Sequence, residues 1–173
     1  MNRKRVLISV LAVVVLIGAV LGLFFIFRPQ PAQPNQEPSD EALAEKALTD
    51  YLTYLSEGKY QGAVDLYDGS YELLQGYNPD VDPSDHATLL EQACTHNGFR
   101  CLQPQKITYI ETNSEGEFVF SVKFLDESGE LLVIGPCCGG NATDSPPRSE
   151  FSLRVQKSGP GQFKTLDLPP YTP

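Results

Sequence analysis

The chain has 173 residues, 41% hydrophobic and 20% charged, with 22 acidic and 13 basic side chains and a net charge of −9. Arg3, Lys4, Arg5 and Arg28 come early, so residues 29–173 hold all 22 acids with only nine bases and carry −13. That surface excludes nucleic acid and anionic headgroups as its partners, because both are held by clusters of Lys and Arg.

Residues 1–5 form a short basic tail, and Val6 to Phe27 follow as one apolar run broken only by Ser9, Gly18 and Gly22. About 20 apolar residues suffice to cross a ~30 Å hydrocarbon core as a helix. Residues 6–27 are therefore predicted to be a transmembrane helix, with the lipid bilayer as their partner. A cleaved signal would have an apolar region of about 7–15 residues and small residues at the cut. This run is longer and ends in Leu23, Phe24, Phe25, Ile26 and Phe27, which favours a retained anchor. The basic excess before the run predicts a cytoplasmic N-terminus, with the rest of the chain outside the cell membrane.

Residues 28–39, RPQPAQPNQEPS, carry four prolines and no large apolar side chain. They read as a disordered spacer. Residues 40–168 are long enough for a single domain with its own core, and 169–173 read as a flexible tail.

Ser39 is a helix cap, followed by Asp40 and Glu41 at the positive end of the helix dipole. Leu43, Ala47, Leu48, Tyr51, Leu52 and Leu55 recur at helical spacing, and Gly58 closes that helix. A second short helix is predicted from Tyr60 to Tyr67, and Tyr71, Leu73 and Leu74 pack as a further turn. After the 78–83 loop, Pro83 or Ser84 opens a third helix, with Leu89, Leu90, Ala93 and Cys94 inward until Gly98. The period then changes to two. Residues 106–112, 117–126, 130–135, 149–157 and 162–168 are strand-length runs separated by Gly-containing turns. Helices followed by short-looped strands imply an α+β fold, with the helices on one face of an antiparallel sheet.

All four cysteines lie in the predicted exported part, where disulfides persist. Four cysteines allow three pairings. A Cys94–Cys101 bond would leave Cys137 and Cys138 as neighbours, whose bond closes a strained ring. Two crosslinks between the 94–101 segment and the 137–138 segment are therefore expected, with the individual partners open. Neither pair has the two-residue spacing of a zinc knuckle.

No catalytic, cofactor or metal site emerges. His86 stands beside Asp82, Asp85 and Glu91 at the start of an exposed helix and reads as solvated surface. His96 reads as a helix-end cation. Asp80, Asp82 and Asp85 lack the central glycine of a calcium loop and read as a helix-opening segment. Among the 17 Tyr and Phe residues, Tyr54 and Tyr60 fall off the main apolar stripe and are the candidates for lining a pocket. Asn141-Ala142-Thr143 fits a glycosylation acceptor, which matters only in a eukaryotic secretory host.

Three helices, a following meander and the stretch Gly58-Lys59-Tyr60-Gln61-Gly62-Ala63 resemble the cystatin-like, nuclear-transport-factor-two-like (SnoaL-like) α+β cone superfamily. The likeness spans residues 40–168 at the level of topology. It implies a sheet curved around a pocket used for catalysis, binding or dimerisation. No pocket acid of its enzymatic members can be matched here, so no catalytic role carries over. Leu66 to Glu72, with Cys94 and Cys101, is also similar to membrane-anchored bacterial proteins and supplies no activity. The expectation is a single-pass, disulfide-containing extracytoplasmic domain for binding or assembly, without catalysis or cofactor, whose partner is a protein or an apolar ligand. The alternatives are a small-molecule enzyme using the cone pocket, or a scaffold that forms a homodimer through its sheet face.

Overall fold

The computed structural model describes residues 38–136, 143 and 146–172. The expected tail 1–5, the membrane segment 6–27 and the spacer up to residue 37 lie outside the described residues, as do Cys137, Cys138 and Asn141. Among the described residues, no helix is long and apolar enough to cross a membrane.

The first helix, α1 (Asp40–Ser56), starts where the sequence places it, with Ala42 donating its backbone N–H to Ser39 Oγ at 3.2 Å. Such a cap satisfies one of the four orphan N–H groups of a helix start. The chain leaves α1 through Gly58, whose φ of +71° suits a residue without a Cβ. Then follow α2 (Tyr60–Asp65), α3 (Glu72–Tyr77) and α4 (His86–Thr95). Helix α4 begins at His86 rather than at Pro83 or Ser84. Asp82 Oδ1 accepts from both Ser84 N and Ser84 Oγ, which ties those residues into a separate turn. Asp85 then caps the helix by accepting from Thr88 N at 3.1 Å.

Four strands form an antiparallel meander in the order β1 (Pro104–Thr112), β2 (Phe118–Phe124), β3 (Phe151–Gly159) and β4 (Gln162–Thr165). The α+β architecture is thus as expected, with α1 in contact with all four strands. Leu48, Tyr51, Leu52 and Leu55 belong to one buried cluster with Phe120, Val122, Phe124, Leu153 and Val155. Burying each large side chain is worth about 1.5–3 kcal/mol. The predicted strand at 130–135 is reduced to isolated bridges, Leu125 with Leu131 and Ile134 with Arg148. Strand β2 is central, and β1 and β3 already take its two sides through Pro104–Phe124 and Val122–Phe151. The returning chain therefore meets only the end of β2 beyond Val122, where Leu132 N donates to Phe124 O at 2.9 Å and Leu131 bridges to Leu125.

The sheet edges are treated differently. Residues 66–68 cover β4 through a parallel Tyr67–Thr165 bridge, with Thr165 N donating to Leu66 O at 2.8 Å. Strand β1 has two register shifts and an outward Lys106, features that discourage edge-to-edge pairing. Beside the buried rows, the alternate positions of β1–β3 include Lys106, Thr108, Ser121, Lys123, Ser152, Arg154 and Gln156, all exposed or half-buried. Ile110, 57% exposed, and the half-buried Val119 are the apolar side chains among these otherwise polar positions.

The cysteine expectation needs correction. Cys94, at the end of α4, is bonded to Cys101, with the two Cα atoms 5.4 Å apart. Gly98, at φ +81°, reverses the chain so that Phe99 N reaches Ala93 O, and this carries Cys101 back beside the last turn of the helix. The proposed crosslinks from both Cys94 and Cys101 to the 137–138 segment are therefore replaced by one local bond. The read tail also differs from expectation. Pro169 and Pro170 are buried, and Tyr171 bridges to Phe99.

A candidate binding groove on the helical layer

Helix α3 and the loop after it form the largest concavity of three described, a groove of about 580 Å³. Tyr71, Glu72, Gln75, Gly76, Pro79 and Pro83 line it. The loop is held by side chains. Gln75 Nε2 donates to Val81 O at 2.9 Å and Asn78 O at 3.3 Å, while Asn78 Nδ2 donates to Leu74 O and to Asn97 Oδ1, each at 2.8 Å. These bonds fix the positions of both lining prolines relative to α3.

The floor is aromatic. Tyr71 stacks on His86 at 3.9 Å between ring centroids, meets Tyr67 edge-on at 5.0 Å, and Tyr67 stacks on the fully buried Tyr51 at 5.7 Å. A ladder of rings therefore runs from the groove into the core. Burial, and secondarily the charge of Asp68, pushes the Tyr71 phenol up to about 12. Burial also raises Tyr67 and Tyr51, with neighbouring phenols and Asp167 adding to it. Tyr67 donates its OH to Ser70 O at 3.1 Å. The hydroxyls of Tyr51, Tyr71 and Thr165, and Gln75 Oε1, are buried without a hydrogen-bond partner among the described residues. Apolar side chains are exposed on the same short helix, Leu73 at 53% and Tyr77 at 45%, and Tyr77 stacks on Tyr171.

Charge sets this layer apart. From residue 60 to 99 the chain has Asp65, Asp68, Glu72, Asp80, Asp82, Asp85 and Glu91, all exposed, and neither Lys nor Arg. The nearest cations are engaged elsewhere, Lys59 with Glu57 and Arg100 with Glu127, each at 2.7 Å. Hydrogen bonds from Ser84 hold Asp82 below the usual carboxylate range, so it stays ionised. Asp82 and Asp85 serve as turn and helix caps, in keeping with the helix-opening role read from the sequence. Among the described residues no group of three or more His, Cys, Asp or Glu is placed to hold a metal ion.

The two tyrosines singled out from the sequence do not share a pocket. Tyr54 packs over Gly62, where a Cβ would meet its ring at 2.9 Å. Tyr60 lines a cleft of about 410 Å³ beside the Cys94–Cys101 bond, and burial raises its phenol. His86, read as solvated surface, is half-buried against Tyr71. His96 bonds through Nδ1 to Thr95 Oγ1 at 2.6 Å. Glu117, the one buried acid among the described residues, accepts from Asn113 Nδ2 at 2.8 Å and from Arg154 Nη1 at 3.4 Å, and so closes the β1–β2 turn. The groove was not legible beforehand, because its residues come from a helix and a loop that fold toward each other. The run of acids without a base was the available signal.

No protein-family model, curated protein or solved structure matches the chain. None of these comparisons supports the cystatin-like resemblance.

Proposed function

We propose that the chain is a single-pass membrane protein whose α+β domain lies outside the membrane and binds or assembles with a partner, without catalysing a reaction. The observation that carries this reading is the α3–α4 layer. There an aromatic groove lined by Glu72, an exposed Leu73 and Tyr77, and the exposed acids Asp80, Asp82, Asp85 and Glu91 fall on one stretch with no basic residue. Exposed apolar surface beside charge of one sign is the composition of a recognition face. Residues 6–27 supply the anchor and residues 28–39 the spacer on this reading. The groove contains no paired nucleophile and base, which fits binding better than turnover.

The test is site-specific photo-crosslinking in the full chain in its own membrane. Crosslinkers at Leu73 and Tyr77 are expected to give a discrete adduct, whereas one at Ile110 on β1, itself 57% exposed, is not. Adducts at Ile110 alone would move the binding surface to the sheet edge. No adduct at any of the three positions would contradict the reading. A homodimer would appear in the same experiment as an adduct of doubled mass.

A further inference from the structure

The groove's chemistry goes further and, resting on the binding reading above, names its occupant. We infer that it takes an extended, proline-containing peptide segment bearing Lys or Arg. Three observations converge on this. First, the backbone around the groove has little left to offer a ligand. Asn78 N is bonded to Leu74 O, Gln75 N to Tyr71 O and Val81 N to Asn78 O, while Pro79 and Pro83 have no N–H. A ligand that added a strand would need a row of free backbone groups. A polyproline-type segment needs no such row, because its backbone stays solvated while its ridged surface docks against aromatic side chains.

Second, the walls suit such ridges. Tyr71 is backed by its stack on His86, and Pro79 and Pro83 line the same groove as Gly76, where a Cβ would meet nothing within 4 Å. The missing side chain at Gly76 keeps the groove open. Third, the surrounding charge is of one sign. Glu72 lines the groove, Asp80 and Asp82 lie between the two lining prolines, and Asp68 is close enough to raise the Tyr71 phenol. Carboxylates are the partners of ammonium and guanidinium groups.

The experiment uses the full chain in non-ionic detergent and fluorescein-labelled peptides of about ten residues, read by anisotropy. The sequences alternate Arg with Pro, Arg with Gly, or Glu with Pro. The Arg–Pro peptide is expected to bind, and to bind at least about tenfold more tightly than either other peptide. Binding should weaken with salt as the Debye length falls from about 30 Å at 0.01 M to about 8 Å at 0.15 M. Gly76→Phe, which fills the groove from an open position, should abolish binding, and Glu72→Lys should weaken it about tenfold or more. Ile110→Lys, on the opposite layer, should leave it unchanged, and circular dichroism should be the same for all three variants. Equal binding of Arg–Gly would show that charge alone is read, and equal binding of Glu–Pro that charge is not read; either overturns the inference. So does an absence of binding, or unchanged binding by Gly76→Phe. If the peptides fail while Tyr77 still crosslinks in the membrane, the binding role stands and only this occupant is lost.

Discussion

Thr172 donates its backbone N–H to Gly98 O at 2.9 Å, and its own carbonyl oxygen lies where a Cβ on Gly98 would have to go. The turn after α4 and the final residues are thus fitted to each other. Gly98 also has a φ of +81°, so any other residue is strained there even before the clash. Gly98→Ala should destabilise the domain by about 2–4 kcal/mol, combining backbone strain with displacement of the last strand-like segment. Chemical denaturation of the variant beside the parent measures this. A shift below about 0.5 kcal/mol would mean that the tail is not part of the packing.

The Cys94–Cys101 bond closes a loop with a sequence separation of seven. A crosslink of that size constrains the unfolded chain by about 2–3 kcal/mol on the chain-entropy account. The double variant Cys94→Ala/Cys101→Ala should fold, with stability lowered by about that amount. Peptide mapping of the oxidised protein should recover the two cysteines in one linked fragment. Linkage of either residue to Cys137 or Cys138 would contradict the local pairing.

The tyrosine ladder makes a prediction for alkaline pH. Burial raises the phenols of Tyr51, Tyr67 and Tyr71 above the ordinary value of 10.0, the last to about 12. Their protonated forms are therefore favoured by folding, and above pH 10 the native state holds more protons than the unfolded chain. The stability they contribute is fully present below pH 10 and is lost as pH rises above it, through about 12 for Tyr71 and further for Tyr51 and Tyr67. Denaturant midpoints should be flat in this respect up to about pH 10 and fall beyond it. Ultraviolet titration should show these phenols ionising above the ordinary value of 10.0. Eight tyrosines titrating together near 10 in the folded protein would refute the burial argument.

Gly76 lies within α3 with open space around its missing Cβ and no positive φ. Gly76→Ala should stabilise the protein by about 0.5–1 kcal/mol, the usual helix advantage of Ala over Gly. A thermal unfolding comparison decides it. A stabilised variant with weakened peptide binding would show that the glycine is kept for the groove rather than for the helix.

Much of the helical half could be read directly from the chain. Ser39 as a cap, the Leu48–Leu55 stripe and Gly58 as a stop are local signals, each produced by residues within one or two turns. The alternation of Phe120, Val122 and Phe124 and of Leu153 and Val155 likewise revealed β2 and β3. What escaped depended on which segments meet. The run 130–135 has strand composition, yet β1 and β3 take both sides of β2 as far as Val122 and leave it only the end at Phe124. The Cys94–Cys101 bond depends on the reversal at Gly98, which spacing alone does not reveal. Residues 169–173 read as a flexible tail, but Pro169 and Pro170 are buried and Arg100 N donates to Pro170 O in the α4–β1 connection. His86 seemed surface-like until Tyr71, 15 residues earlier, was seen to stack on it. The groove combines α3 with a loop stiffened by Gln75 and Asn78, a pairing that no periodicity announces.

The central claim is that this domain works outside a membrane to which residues 6–27 hold it, and sealed cells expressing the full chain test it most directly. A membrane-impermeant protease added to intact cells should degrade the domain and leave only a short membrane-retained fragment containing the N-terminus. Alkaline carbonate extraction should leave the untreated chain in the membrane pellet. A domain protected until the cells are lysed, or a chain released by carbonate, would contradict the account.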